Sequence, residues 1–363
     1  MPQPSPKPHV MAHPGVAAAL TAAALFGAST PLAKGLLATV DPWLLAGLLY
    51  LGSGAGLALW RVLSGARPVQ MQTAQHGWLA GAVLAGGVVG PLLLMLGLSR
   101  MPASGASLLL NAEGVFTALL AWFVFKENVD RRIALGMAAI VAGALVLSGP
   151  GQARMGDVWP ALAVLGACAA WAVDNNLTRK VALTDATWIA SVKGLVAGCV
   201  NVALGLAAGA AWPPWPWLAG ALVLGLVAYG ISLSLFVVGL RHLGTARTGA
   251  YFSIAPFFGA VLAVWWLDEP LTPSLLLAGA LMALGVWLHL TEWHAHVHAH
   301  EPIDHEHEHE HDAHHDHDHD PAHDPANADG AGGAAWRHTH RHRHQPLTHA
   351  HTHFPDEHHR HRH

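Results

Sequence analysis

Residues 98–128 read LSRMPASGASLLLNAEGVFTALLAWFVFKEN, and residues 240–270 read LRHLGTARTGAYFSIAPFFGAVLAVWWLDEP. Laid on each other at a shift of 142 residues, both run from a basic start through a long apolar stretch to an acidic end. Glu127 meets Glu269, Ala121 meets Ala263, and just beyond them Gly143 meets Gly285. Upstream, a shift of 145 brings Phe26 onto Trp171, Leu32 onto Leu177, Lys34 onto Arg179 and Trp43 onto Trp188. Identity is sparse, yet the near-constant shift, the terminal glutamate and the matched tryptophan mark an internal duplication. Weak internal symmetry of this kind is how transporter repeats show themselves in sequence.

From these stretches outward, the chain is apolar from Met1 to Trp293. A helix needs roughly 20 apolar residues to cross about 30 Å of hydrocarbon. About ten stretches qualify: Ala17–Leu37, Trp43–Val62, Trp78–Leu98, Ala103–Phe125, Ile133–Ser148, Val158–Val181, Ala186–Ala208, Trp217–Leu240, Ala246–Leu267 and Ser274–Leu290. Short connectors such as VDPW, KENVDRR and DEPLTP separate them. The helices lack the polar stripe that a soluble bundle needs. Trp43, Trp78, Trp215, Trp217, Trp265, Trp266 and Trp293, near span ends, suit an interfacial belt. The expected fold is all-α and integral to the membrane, with about ten transmembrane helices in two five-helix repeats, residues 15–150 and 156–293. Five spans is an odd number, so the second repeat inserts upside down. Inverted repeats recur in secondary transporters, with the site near the midplane between the halves.

Basic residues set the orientation. With the leader, residues 1–14, in the cytoplasm, the inner segments carry Lys7, Arg61, Arg67, Lys126, Arg131, Arg132, Arg179, Lys180, Arg241 and Arg247. The outer ones carry only Lys34, Arg100 and Arg154. An even number of spans returns the C-terminus to the cytoplasm, which gives a multi-pass protein of the plasma (inner) membrane. The leader has one Lys and much Pro and does not read as a cleaved signal peptide. Cys168 and Cys199 lie inside spans and imply no disulfide framework.

The opening AALFGASTPLAKGLL, the segment SLLLNAEGVFTALLAWFVFKEN with the following ALGMAAIVAGALVL, and the second-half IAPFFGAVLAVWWLDEPLTPSLLLAGALMALGV resemble the two EamA domains of the drug/metabolite transporter superfamily. The likeness covers roughly residues 15–292. It implies a ten-helix carrier of two inverted repeats that exports metabolites, amino acids or other small solutes. The sequence departs from such domains at Glu113-Gly114, where Pro often follows Glu; the second copy has Ala255-Pro256.

Ionisable groups at mid-bilayer cost about 2.5–3.5 kcal/mol on the insertion scale and so mark candidate pathway residues. Glu113 lies about 15 Å into the fourth span at 1.5 Å per residue, with no cation beside it in sequence. It is the sharpest candidate for a proton carrier; the plainer alternative is a protonated side chain bonded to a neighbouring helix. Asp174, beside Asn175 and Asn176, and Lys193 sit at similar distances from the turn between the sixth and seventh spans and can pair. That pair is either a structural tie or part of a binding site. Asn111 and Asn201 are pathway residues or interhelical glue. Lys34 is expected to snorkel to the interface, and Glu127 and Glu269 to cap helix ends. Gly86, Gly87, Gly90 and Pro91 in the third span, and Gly225 and Gly230 in the eighth, point to bends around a central cavity.

The tail, residues 294–363, is of another kind. It holds 24 of the 29 histidines, and its stretch DHEHEHEHDAHHDHDHD carries His305, His307, His309, His311, His314, His315, His317 and His319. Dense charge and low hydrophobicity predict disorder. Imidazoles beside carboxylates suit Zn, Ni or Co, bound in shifting geometry because the spacing is irregular. The chain shows no HEXXH motif and no Ser/His or Cys/His set, so no enzyme is expected. It shows no GxxxxGK[ST] loop, so transport would draw on an ion or solute gradient. No cofactor is required and no nucleic-acid partner is implied; the partners expected are the lipid bilayer and a small-molecule or metal-ion substrate. Three readings stay open: an exporter of a divalent metal, or one tuned by it; a metabolite or amino-acid exporter with an incidental tail; and a membrane-tethered metal buffer or sensor.

Overall fold

The computed structural model describes residues 14–66, 68–69, 71–125, 131–148, 158–178, 181, 185–290, 295–300, 304–309, 338–343 and 347–352. Among the expected features, Arg67, Lys126, Glu127, Arg154, Arg179, Lys180, Trp293 and residues 1–13 of the leader lie outside these residues.

The first repeat contains α1 (Pro14–Leu36), α2 (Pro42–Leu63), α3 (Thr73–Ala82), α4 (Gly90–Arg100), α5 (Ala103–Leu109), α6 (Ala112–Phe125) and α7 (Arg131–Ser148). The second contains α8 (Trp159–Thr178), α9 (Ala186–Ala207), α10 (Trp215–Gly225), α11 (Ser232–Phe252), α12 (Ala255–Trp266) and α13 (Pro273–Leu290). Helix starts follow local chemistry. Asp41 Oδ1 accepts from the N–H of Trp43 at 2.8 Å, with Pro42 in the first turn of α2. In the second half Asp185 Oδ1 does the same for Thr187 and Trp188, at 2.9 and 3.0 Å. A carboxylate at this place satisfies amides that have no helical partner.

Among the described residues, eight helical runs, some joined through short irregular segments, are long and apolar enough to cross a membrane. Two of the expected ten fall short among the described residues. α8 carries Asp174, Asn175 and Asn176, which lower its hydropathy. α12 has only 12 residues, because α11 runs on through residues 246–252, which the hydropathy pattern places in the ninth span. The halves differ here for a physical reason. The first-half corner breaks at Met101-Pro102, where proline has no N–H to continue the helix. Its counterpart at a shift of 142 is Leu243-Gly244, and the helix continues.

Corresponding helices meet antiparallel, as an inverted duplication requires. Gly136 of α7 faces the backbone of Gly285 on α13, and Gly143 of α7 faces Ala278 and Met282. A shift of 142 converts Gly136 to Ala278 and Gly143 to Gly285, so the two contacts are one contact made twice. Gly is needed at both: an added Cβ would lie 2.9 Å from the Gly285 oxygen or 3.0 Å from the Ala278 oxygen. Defects are duplicated too. Between α3 and α4 the helix loosens into a π-helical segment, Val83–Val89, and between α10 and α11 into another, Leu226–Ile231. Residues 83–89 moved by 142 become 225–231, so these segments occupy matched places in the two repeats. Trp60, Trp78, Trp215, Trp217, Trp265 and Trp266 stay exposed, mostly near helix ends.

The tail forms a separate unit, residues 293–363. Four described segments of this unit pair as strands. β1 (Ala295–His300) lies antiparallel to β4 (Leu347–Thr352), and β2 (Asp304–His309) to β3 (His338–Arg343). The alternation HEHEH has the strand's period of two, which the reading from charge and hydrophobicity did not weigh. His305, His307 and His309 stand at alternate positions of β2, in register with His342, His340 and His338. His311, His314, His315, His317 and His319 lie outside the described residues.

Candidate substrate cavity

A cavity of about 510 Å³ lies beside the two π segments: the second lines it, and the first holds two of its lining side chains, Tyr50 and Trp171. A π turn displaces carbonyls from their usual helical donors. In the first segment the Gly86 carbonyl accepts from Tyr50 Oη at 2.8 Å and Trp171 Nε1 at 2.9 Å. Asn201, fully buried, reaches the next carbonyls, with Nδ2 donating to Gly87 at 3.2 Å and Val88 at 3.3 Å. The second segment supplies Ala228 and Tyr229 to the cavity wall.

Acidic and basic groups converge on one side. Lys193 Nζ of α9 donates to Asp174 Oδ2 of α8 at 2.5 Å, and Thr178 Oγ1 donates to Asp174 Oδ1 at 2.9 Å. The pairing expected from equal depth is present, and both side chains are largely buried, 7% exposed for Asp174 and 17% for Lys193. Gly86 makes room for it, since a Cβ there would overlap the Asp174 carboxylate. Glu113 opens α6 just past the irregular turn at Leu110-Asn111. Its Oε1 accepts from Asn175 Nδ2 at 2.8 Å, a bond to a neutral amide. Glu113, Asp174, Asn175 and Lys193 all line the cavity.

Aromatic side chains line the same cavity. Phe26 meets Tyr229 edge-on at 5.7 Å and Phe252 at 5.3 Å, Tyr50 lies 6.0 Å from Tyr229, and Phe236 packs on Phe252 at 4.9 Å. Sequence reasoning did not single out these rings. A signal existed: the chain has three tyrosines, and Tyr50 and Tyr229 stand inside apolar spans. Phe26 and Trp171, aligned by the repeat, both reach the cavity.

Three of the sequence candidates sit elsewhere. Asn111 is buried at the turn before α6, where Nδ2 donates to the Leu108 carbonyl at 2.9 Å. Asn176 turns back onto its own helix, donating to the Ala172 carbonyl at 2.8 Å. Asn201 holds the π segment rather than the cavity wall. Lys34 does not snorkel: its Nζ bonds the carbonyls of Leu98, Ser99 and Met101. Glu269 caps a helix as expected, accepting from the N–H groups of Ala103 and Ser104 at 2.6 and 2.8 Å.

The cavity extends towards Thr178 and Ala186, beside the start of α9. There Arg61 Nη1 donates to Asp185 Oδ2 at 2.6 Å and to Thr187 Oγ1 at 2.8 Å. Burial alone would push the Asp185 carboxyl up. Hydrogen bonds from Thr187, Arg61 and the Trp188 amide, with the Arg61 charge, outweigh it and hold the group at about 2.

With this geometry in place, the likeness to known proteins has structural content. The model of the EamA-like transporter family matches twice, over residues 13–149 and 158–291. The chain belongs to the EamA-like transporter family. An uncharacterized transporter of Methanothermobacter thermautotrophicus is 28% identical to this EamA-like chain over 292 residues, covering 76% of it and 85% of the relative. The threonine/homoserine exporter RhtA of Escherichia coli K12 is 30% identical over 129 residues, 35% of this chain and 44% of its own length. A probable terminal-alkyne amino-acid exporter of Streptantibioticus cattleyicolor is 28% identical over 208 residues, 54% of this chain and 67% of the relative. One protein of known crystal structure shares the fold at a TM-score of 0.58 and 19% identity, covering 75% of this chain and 95% of that one. This EamA-like chain is therefore a multi-pass membrane transporter, and family membership fits the expectation that it is no enzyme.

Proposed function

We propose that this protein exports a small organic solute bearing an ammonium group, in exchange for protons, by alternating access across ten spans. The carrying observation is the charge balance of the cavity. Two carboxylates, Glu113 and Asp174, stand against one ammonium, Lys193, so the ionised cavity carries one net negative charge. Lys193 is spent on Asp174, which leaves Glu113 for a mobile cation, either a proton or a substrate amine. The aromatic wall suits the same ligand, since a cation near an aromatic face gains about 0.5–2 kcal/mol. One carboxylate that holds either cation but not both gives antiport. The names of the relatives, exporters of threonine, homoserine and alkyne amino acids, are consistent with an amino-acid-like solute. The excess of basic residues at the Asp185 face supports placing that face, and both termini, in the cytoplasm of a plasma membrane.

A second reading concerns the tail. Its 24 histidines, with Asp and Glu between them, favour binding of Zn, Ni or Co on the cytoplasmic side, either as the exported ion or as a signal that tunes export. The cavity favours tuning, because its acids are few and Asp174 is already paired.

Efflux of labelled amino acids and polyamines from vesicles under an imposed pH gradient tests the proposal. Glu113→Gln should stay in the membrane and lose gradient-driven efflux. Efflux that is undiminished and still pH-dependent would refute the role of Glu113.

A further inference from the structure

At the face opposite Asp185, two charged side chains grip one corner of the bundle. The corner is Met101-Pro102, between α4 and α5. Lys34, in the last turn of α1, donates to the carbonyls of Leu98 at 2.6 Å, Ser99 at 3.3 Å and Met101 at 3.0 Å. Glu269, just beyond α12 in the other repeat, accepts from the amides of Ala103 at 2.6 Å and Ser104 at 2.8 Å. Each charge meets the helix end whose dipole it complements: cation to the last carbonyls, carboxylate to the first amides. Bonds to charged groups are the stronger class of hydrogen bond.

A second cavity, of about 610 Å³, opens beside this corner, lined by Lys34, Arg100, Glu269 and Thr272, and shares no lining residue with the first. α1 and α12 meet tightly one residue on from Phe26, which lines the first cavity. Gly27 of α1 lies against the Ala255 oxygen, and Gly259 of α12 lies against the Gly27 oxygen and Ser107 Oγ. The contact is mostly backbone against glycine, with only the Ser107 hydroxyl and the Phe258 Cβ beside it, so it can part without unpacking a large side chain. Ser107 Oγ is buried there with no hydrogen-bond partner. A lone buried hydroxyl is costly, and it would be relieved if water entered on parting.

We propose that Glu269 and Lys34 form a latch that holds this face shut, and that its release opens the central cavity to the Lys34 face. This rests on the export reading above. Both latch residues are half-buried beside a cavity, so water can replace their bonds when the corner moves. The latch joins α1 and the end of α12 to the α4–α5 corner. Parting the Gly27–Gly259 contact therefore needs the corner freed.

The test uses the full-length protein with Cys168→Ala and Cys199→Ala, and Ala190→Cys as a reporter in the central cavity. An impermeant maleimide is offered to intact cells and to inverted membrane vesicles, so each face is sampled separately. With the latch intact, labelling should proceed from the Asp185 face and at least tenfold slower from the Lys34 face. Glu269→Gln should raise the Lys34-face rate about tenfold, and so should Lys34→Met, without raising the Asp185-face rate. Glu269→Asp keeps the charge and should fall between. An unmoved Lys34-face rate in both variants overturns the proposal. So does a rise at both faces together, which would mean that the pair holds the fold rather than a gate. If labelling shifts as expected but no amine is exported, the latch stands and the export reading falls. If export proceeds and labelling never shifts, the reverse holds.

Discussion

Breaking the Asp174–Lys193 pair asks whether these residues tie two helices or handle substrate. At 2.5 Å and an effective dielectric of about 20, the Coulomb attraction is roughly 7 kcal/mol before desolvation. Taking both groups from water cancels much of that. Removing one partner leaves a buried charge alone and typically costs about 3–5 kcal/mol. Asp174→Asn also changes the acceptor for Thr178, a bond of about 1 kcal/mol. Each single change, Asp174→Asn or Lys193→Met, should therefore lower stability by several kcal/mol, a large part of a typical total of about 5–15. The double variant should regain about 2–3 kcal/mol of the summed loss. Unfolding midpoints in detergent, measured as a double-mutant cycle, give the coupling. Additivity within about 0.5 kcal/mol would refute the pairing argument. Efflux then separates the roles: recovery of stability with recovery of export marks a tie, and recovery of stability without export marks a residue that handles substrate.

Other outcomes are expected. Asn201→Ala should destabilise by about 1–2 kcal/mol, since it frees the carbonyls of Gly87 and Val88, and thermal unfolding would register it. The Asp185 carboxyl is depressed, so its contribution is present above about 3.8 and is lost as pH falls towards about 2. It is also 41% exposed, so Asp185→Asn should cost under about 1 kcal/mol and leave the pH profile of efflux near neutrality unchanged. A profile displaced by this change would move the proton-coupling assignment away from Glu113. A peptide of residues 294–363 should bind several Zn²⁺ or Ni²⁺ ions at pH near 7.5 and release them towards pH 5, as protons compete for imidazole; calorimetry giving equal binding at both would point to carboxylate sites. Cysteines placed at Arg131 and Pro213 should label from the cytoplasm and the outside respectively, and the opposite pattern would reverse the orientation.

Much of this architecture is legible in the sequence. Repetition at 142–145 residues gave the two halves, because matched glycines sit where helices touch. Depth counting gave the Asp174–Lys193 pair, because antiparallel neighbours place equal offsets at equal height. Glycine clusters pointed to the interrupted third and eighth spans. Three things were hidden. A polar residue's depth says nothing of its facing: Asn111 and Asn201, open between pathway and interhelical glue, both bond backbone, and Asn176 turns onto its own helix. The fate of Lys34 depended on where the end of α4 lies in space. The long α11 depended on a proline that one half has and the other lacks.

The π-helical segments carry a consequence for chain length. In an α-helix each amide bonds four residues back; in a π turn it reaches five back, so one residue is surplus to the α pattern. Deleting one residue within 83–89 can be absorbed by reverting to α geometry, with flanking faces kept in register. The same deletion within α2 would turn everything beyond it by about 100° and spoil every contact downstream. The cost at 83–89 would fall instead on the Gly86 carbonyl, which Tyr50 and Trp171 now hold. Each repeat thus keeps one residue of slack in a rod that is otherwise fixed in length, and keeps it beside the cavity.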